Sequence, residues 1–191
     1  HAAALKHVPV VEYNPFESIK TNVLGSQNVI DACLYENVGT AICVGTDKAV
    51  SPLNTYGATK LLMEKLFVTA GNYTNPEKHK TKFIAIRYGN VLASSGSVIP
   101  HFLSQIKEGK KLTITDPTMT RFNITMNQAL DFIIRTYQKG KGGEVFIPKL
   151  KAYRLGDLKD VIINLAKKDI QSEIMPVRPG EKYHESLISS D

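Results

Sequence analysis

The sequence predicts an α/β protein: part of a doubly wound parallel sheet, followed by a smaller C-terminal lobe. Three observations carry this expectation. Segments with helical periodicity alternate with short apolar runs along most of the chain. The run TAICVG, residues 40–45, lacks polar alternation, as in a parallel strand covered on both faces. A polar loop leaves that run and leads straight into a capped helix, which is where open parallel sheets build their sites.

Taken in order, the opening HAAALKHVP (residues 1–9) resembles the material just after a strand. Residues 17–36 carry Ile19, Val23, Val29, Ile30, Cys33 and Leu34 at helical spacing. The strand at 40–45 gives way to a loop rich in polar residues, and Asn54 or Thr55 caps a helix reaching Thr69. Residues 82–89 form the next strand, a helix opens at Gly96-Ser97 and reaches Glu108, and KLTIT (111–115) is a shorter strand. Helices follow at 127–138 and 153–168, separated by EVFIP (144–148), and SEIMP (172–176) is a last short strand.

Composition narrows the possible functions. The formal net charge of +6 comes from scattered lysines with no arginine-rich stripe, which argues against a nucleic-acid surface. No apolar run reaches the length of a membrane span. Cys33 and Cys43 lie inside apolar segments, as small core residues in a reducing, cytoplasmic compartment. The five histidines never pair at metal-ligand spacing, so no metal is expected.

Chemistry concentrates after the 40–45 strand. Tyr56 and Lys60 stand at i and i+4, on one side of their helix. An ammonium near a phenol favours phenolate and lowers a tyrosine pKa from about 10, so Tyr56 is expected to act as a general base. Gly57 and Ala58 are expected to leave room for a flat ligand. Thr46, Asp47 and Lys48 leave the strand end together: a hydroxyl to orient a substrate, a carboxyl to act as acid, an amine to abstract a carbon-bound proton. Arg87 and Asn90 end the next strand; Asn90 suits a phosphate or a loop contact, and Arg87 suits a structural ion pair. Arg121 lies in MTRF (119–122), and Arg178 in RPGEK (178–182) opens a tight turn with two cations.

Together these motifs resemble the extended short-chain dehydrogenase/reductase family, in its branch of UDP-N-acetylglucosamine 4,6-dehydratases. The resemblance rests on GTDKAVSPLNTYGATK (45–60), RYGNVL (87–92), GSVIP (96–100), MTRF and RPGEK in that order. It covers essentially the whole chain. It implies a partial Rossmann-type fold, with residues 1–91 as the C-terminal half of an NAD(P)-binding domain and residues 92–191 as a mixed α/β substrate-binding part. It also implies a lyase dependent on NADP, with NAD as the alternative, acting on a UDP-linked N-acetyl hexosamine for surface-glycan synthesis, as a homo-oligomer. Tyr56 would take the 4-hydroxyl proton, and Lys60 would assist and contact the cofactor ribose. Lys48 would remove the C5 proton, Asp47 would protonate the departing C6 oxygen, and Thr46 would hold a sugar hydroxyl. Asn90, Arg121 and Arg178 would face the nucleotide diphosphate. Tyr56, where some relatives carry methionine, points to the C5-inverting branch.

A UDP-sugar 4-epimerase and a non-catalytic sugar-nucleotide-binding scaffold are the alternatives. An epimerase has no use for the Asp47/Lys48 pair, and a scaffold has no use for either pair. The sequence holds no glycine fingerprint for a pyrophosphate. It is therefore expected to be the middle of a longer polypeptide, silent and marginally stable alone, with TAICV as an unpaired strand edge.

Overall fold

A computed structural model describes residues 1–75 and 77–189 of the chain. The first lobe opens with α1 (Val8–Tyr13) and α2 (Pro15–Ser18), and a π-helical stretch (Ile19–Leu24) carries α2 into α3 (Gly25–Tyr35). Strand β1 (Thr40–Val44), a 3-10 turn (Asp47–Ala49), α4 (Thr55–Thr69), β2 (Lys82–Ile86) and the short β3 (Asn90–Val91) follow. The remainder is α5 (Val98–Lys107), β4 (Leu112–Ile114), β5 (Thr120–Ile124), α6 (Met126–Lys139), β6 (Val145–Phe146), β7 (Ala152–Arg154), α7 (Leu155–Ala166) and β8 (Ser172–Ile174).

Among the described residues, β1, β2 and β6 form a parallel sheet in that order. Phe83, Ile84, Ala85 and Ile86 are buried without a break, so β2 is covered on both faces. Strand β1 alternates instead: Ala41 and Cys43 are buried, while Thr40, Ile42 and Val44 are only partly covered. Its position at the end of the strand order accounts for the difference. The free side of β1 meets the chain's first residue, where the His1 amine donates to Ile42 O at 2.7 Å and Val44 N donates to His1 O at 3.0 Å. The expected open edge is therefore paired at one residue.

Helices α3 and α4 cover one face of this sheet, packing Ile30, Met63 and Phe67 against Cys43, Phe83 and Ala85. Although β6 lies beyond residue 91, it pairs with β2, so the chain returns to the first sheet after leaving it. The second lobe holds Phe102, Leu112 and Ile162 in one cluster and Ile114, Met119 and Leu155 in another.

Several boundaries differ from expectation. The helix over 17–36 is realised as α2, the π stretch and α3. Inside the π stretch, buried Asn22 accepts from Leu5 N at 2.8 Å and donates to Leu5 O at 3.0 Å and Thr59 Oγ1 at 3.1 Å. That network pins the opening segment beside α4. Residues 153–168 begin not as helix but as β7, and α7 starts at Leu155. Strand β5 pairs with β3 in parallel and with β7 antiparallel. Its Arg121 and Asn123 face clefts rather than solvent, so no apolar alternation marks it.

Candidate active site

The polar loop after β1 is zipped to the exit of β2. Gly45 N donates to Ile86 O at 2.7 Å and Asp47 N to Tyr88 O at 3.1 Å. Thr46 then caps the 3-10 turn, accepting from Lys48 N at 3.3 Å and donating to Asp47 Oδ1 at 2.9 Å. Lys48 Nζ donates to Asp47 Oδ1 at 3.1 Å and to Asn90 Oδ1 at 3.2 Å. Asp47 is fully buried, and its Oδ2 has no hydrogen-bond partner.

Helix α4 is placed against this turn by two close approaches. A Cβ on Gly57 would meet Lys48 O at 2.3 Å, so the glycine makes room for the turn's backbone. The expected gap for a flat ligand at Gly57 is corrected accordingly. Asn54 caps α4 by accepting from Gly57 N at 2.7 Å, and its amide donates to Gly180 O at 2.8 Å. Gly180 sits at φ +75, where a Cβ would also meet Asn54 Cβ at 2.7 Å, so the RPGEK turn docks on the helix start only with glycine there.

Three adjoining clefts surround these groups. One of about 540 Å³ is bordered by Thr46, Lys48, Tyr56, Lys60 and Asn90. A second, of about 600 Å³, lies toward α5 and includes Arg121, Asn123 and Tyr153. A pocket of about 140 Å³ between them is bordered by Lys48, Arg121 and Glu185. Asn90 and Arg178 border all three. Asp47 borders none of them and reaches the clefts through Thr46 and Lys48.

The expected electrostatics of Tyr56 and Lys60 are reversed. Burial pushes the Tyr56 phenol up to about 12; the Thr46 hydroxyl pulls it partly back and the Asp47 charge pushes it further up. Lys60 is not among the groups acting on the phenol, and burial lowers its own amine to about 8. Its Nζ donates to Val44 O at 2.6 Å. The i,i+4 spacing brings the two side chains to one cleft wall, but a buried amine held by a carbonyl is a weak source of positive charge.

These shifts predict a pH signature in folding. Between about 8 and its ordinary 10.5, Lys60 is discharged in the folded chain and charged in the unfolded one, so stability rises with pH there. Cys43, raised by burial from 9.0 to about 12, keeps a proton that the unfolded chain loses, and stability falls above 9.0. Tyr56 adds the same fall above 10.0. Each group contributes a slope of about 1.4 kcal/mol per pH unit. Urea midpoints of the full-length protein should therefore climb from pH 8 to 9, level, and drop above 10. In Lys60→Met the climb should vanish and the drop should begin near 9.

The ion pairs separate structural from cleft-facing charges. Arg87 is not a cleft residue: its Nε and Nη2 each donate at 2.6 Å to the Glu64 carboxylate, and its Nη1 donates to Leu187 O at 3.2 Å. Arg121 is buried, paired with Glu181 Oε1 at 3.0 Å and donating to Tyr183 O at 3.1 Å. Arg178 is exposed at the meeting point of the clefts. Glu185, which the sequence did not single out, is buried beside this group with its Oε1 3.8 Å from Lys48 Nζ. It lies in a segment with no periodic signal, and only the fold brings it to the 3-10 turn.

Ala2, Ala4 and Val44 line the same cleft as Tyr56 and Lys60, a mix of small apolar and hydrogen-bonding groups chemically suited to a nicotinamide and its ribose. No glycine-rich turn for the pyrophosphate occurs in the sequence.

Comparison with known proteins identifies the family of the chain. The family profile described as polysaccharide biosynthesis protein matches residues 1–191. A UDP-N-acetylglucosamine 4,6-dehydratase (inverting) of Campylobacter jejuni is 49% identical over 193 residues, covering 100% of this chain and 56% of that protein. A UDP-glucose 4-epimerase of Rickettsia massiliae is 42% identical, covering 100% of this chain and 55% of its own. The chain thus spans a little over half the length of these relatives. The crystal structure of Pen from Bacillus thuringiensis superposes with a TM-score of 0.92 at 44% identity, over 97% of this chain and 58% of that one. A dTDP-glucose 4,6-dehydratase of Streptomyces venezuelae shares the fold at 18% identity, with a TM-score of 0.87 over 97% of this chain and 62% of its own. That structure holds NAD, and the expectation of NADP dependence is corrected on this finding.

Proposed function

Because the chain belongs to the family of polysaccharide biosynthesis proteins, we infer that the protein works as a C5-inverting UDP-N-acetylglucosamine 4,6-dehydratase using NAD. It would supply a 4-keto-6-deoxy sugar nucleotide for surface-glycan synthesis. The observation that carries this reading is the convergence of Thr46, Lys48 and Asn90 on the cleft that also holds Tyr56 and Lys60, with Asp47 bonded to Thr46 and Lys48 from behind. When bound, the oxidised nicotinamide supplies a hydride acceptor and a positively charged ring. Tyr56 would take the proton of the C4 hydroxyl as a phenolate, which requires the positive ring to pull its phenol back down from about 12, and Lys60, held by Val44 O, would position the ribose. Oxidation at C4 acidifies the C5 proton, which Lys48 removes. Asp47, in its protonated form, would protonate the departing C6 oxygen through the Thr46 hydroxyl 2.9 Å away, since Asp47 itself borders no cleft. Thr46 orients a sugar hydroxyl, and Asn90, Arg121 and Arg178 face the diphosphate across the adjoining clefts.

A 4-epimerase is the second reading, favoured by the likeness to the Rickettsia enzyme. It needs Tyr56 and Lys60 but leaves the Asp47–Lys48 pair without a task. The full-length protein, given UDP-N-acetylglucosamine and NAD in heavy water, should yield a 4-keto-6-deoxy product with deuterium at C5 and inverted configuration by NMR. Retained configuration would overturn the inverting assignment. A C4 epimer with its C6 oxygen intact would overturn the dehydratase reading altogether.

A further inference from the structure

The amine of Lys48 ends a flexible four-carbon stem, so a base that must meet one carbon of a sugar needs its nitrogen held in place. Two acceptors hold it. Nζ donates to Asp47 Oδ1 at 3.1 Å and to Asn90 Oδ1 at 3.2 Å. The two are not equivalent. Asp47 is the preceding residue on the same 3-10 turn, so it moves with the base it holds. Asn90 belongs to β3, in a different sheet. Leu92 N donates to Ile124 O at 2.9 Å, and a Cβ on Gly89 would overlap Phe122 O, so the chain on either side of Asn90 is pressed against β5. Asn90 is therefore the fixed point against which the amine is aimed.

The chemistry of the amide gives its orientation. A lysine nitrogen donates here, so the atom facing it is the amide oxygen. That oxygen is uncharged and accepts an N–H of the free amine, without adding a third carboxylate that would hold Lys48 as the ammonium. Cε and the two donated hydrogens fill three corners of the Nζ tetrahedron. The fourth corner carries the lone pair of the free amine and is left for the sugar. Glu185 Oε1, at 3.8 Å from Nζ, is beyond hydrogen-bond reach. Its segment is tied elsewhere: Thr120 N donates to Tyr183 O at 3.0 Å, and Arg87 Nη1 donates to Leu187 O at 3.2 Å. The NH₂ end of the Asn90 amide is turned from Lys48, toward the Tyr153 phenol on which Asn90 acts and the three clefts that it borders.

We propose that Asn90 is the positioning residue for Lys48: its amide oxygen aims the amine at C5 while its NH₂ group seats a diphosphate oxygen. A seated sugar nucleotide and an aimed base then share one side chain. This rests on the dehydratase reading. Without the amide, the amine is left with the Asp47 carboxylate and swings on its own turn toward Glu185, the other carboxylate beside it. Oxidation at C4 does not use Lys48 and is untouched.

A double-mutant cycle separates this role from a structural one and from diphosphate binding alone. Full-length parent, Asn90→Ala, Lys48→Ala and the double variant are each mixed with NAD and saturating UDP-N-acetylglucosamine. Stopped-flow absorbance reads nicotinamide reduction, and NMR of quenched samples reads loss of the C6 oxygen. Asn90→Ala is expected to slow elimination by about 10²-fold, the cost of a ~1 Å misplacement, with nicotinamide reduction at the parent's rate. In the Lys48→Ala background the same substitution should add no further loss, because no amine is left to aim. An equal loss in both backgrounds would show that Asn90 acts without Lys48 and would overturn the proposal. Equal slowing of reduction and elimination would show a merely structural role and overturn it as well. Should Asn90→Ala fail to fold, the cycle is run with Asn90→Leu, which keeps the shape of the side chain without its polar atoms, and the same outcomes decide. A parent that makes no 4-keto-6-deoxy sugar would instead sink the dehydratase reading, and the proposal with it.

Discussion

Replacing Lys48 with alanine in the full-length protein is expected to slow dehydration by about 10²–10⁴-fold, the range for loss of a positioned general base. Reduced nicotinamide should still form on mixing with UDP-N-acetylglucosamine. The two steps use different groups. Oxidation at C4 draws on Tyr56 and Lys60, which α4 presents to the cleft. Elimination draws on the 3-10 turn, where Lys48 Nζ sits between Asp47 Oδ1 and Asn90 Oδ1. Stopped-flow absorbance reports the first step and NMR of the sugar the second. A Lys48→Ala enzyme that dehydrates at the parent's rate would remove Lys48 from the chemistry. One that no longer reduces the nicotinamide would place Lys48 in the first step instead.

A second large effect is expected in stability. Arg87→Leu should destabilise the protein by about 3–5 kcal/mol, because it strands the Glu64 carboxylate, whose side chain is 1% exposed. Glu64 presently receives two bonds of 2.6 Å from the guanidinium. The double variant Arg87→Leu/Glu64→Leu should recover most of the loss, since a buried pair costs much of what it contributes in desolvation. Denaturant midpoints of the parent and the three variants, including Glu64→Leu, test this. If Arg87→Leu were as stable as the parent, the pair would not be holding the β2 exit to α4. The same substitution frees the carbonyl of Leu187, so the segment bearing Glu185 should exchange its amide hydrogens faster than in the parent.

What could be read from the sequence was local. Tyr56 and Lys60 are four residues apart on one helix, and Thr46, Asp47 and Lys48 are contiguous, so spacing alone puts each set in one place. The strand at 82–86 and the cap at Asn54 were legible for the same reason, but the coverage on both faces expected of residues 40–45 belongs to β2 instead, because β1 ends the strand order. Burial depth was not. The motif suggests an activated phenol at Tyr56, whereas the fold buries the phenol and ties Lys60 to Val44 O, so the shift runs the other way. Gly57 reads as space for a ligand, and only the packing shows Lys48 O filling that space. Strands β3, β5 and β7 are short and carry Asn90, Arg121 and Tyr153 toward the clefts, so polar function erased the pattern that identifies a strand. Glu185 belongs to the far end of the chain, and its meeting with Lys48 depends on two long-range clamps that no window of sequence contains.

In a 4,6-dehydratase the C4 hydride ends on C6 after an oxygen has left. UDP-N-acetylglucosamine carrying deuterium at C4, turned over by the full-length protein with NAD in ordinary water, tests it most directly. The expected product is a 4-keto-6-deoxy sugar with the deuterium in its C6 methyl group. A sugar that keeps the C6 oxygen and carries the deuterium back at C4 would contradict it.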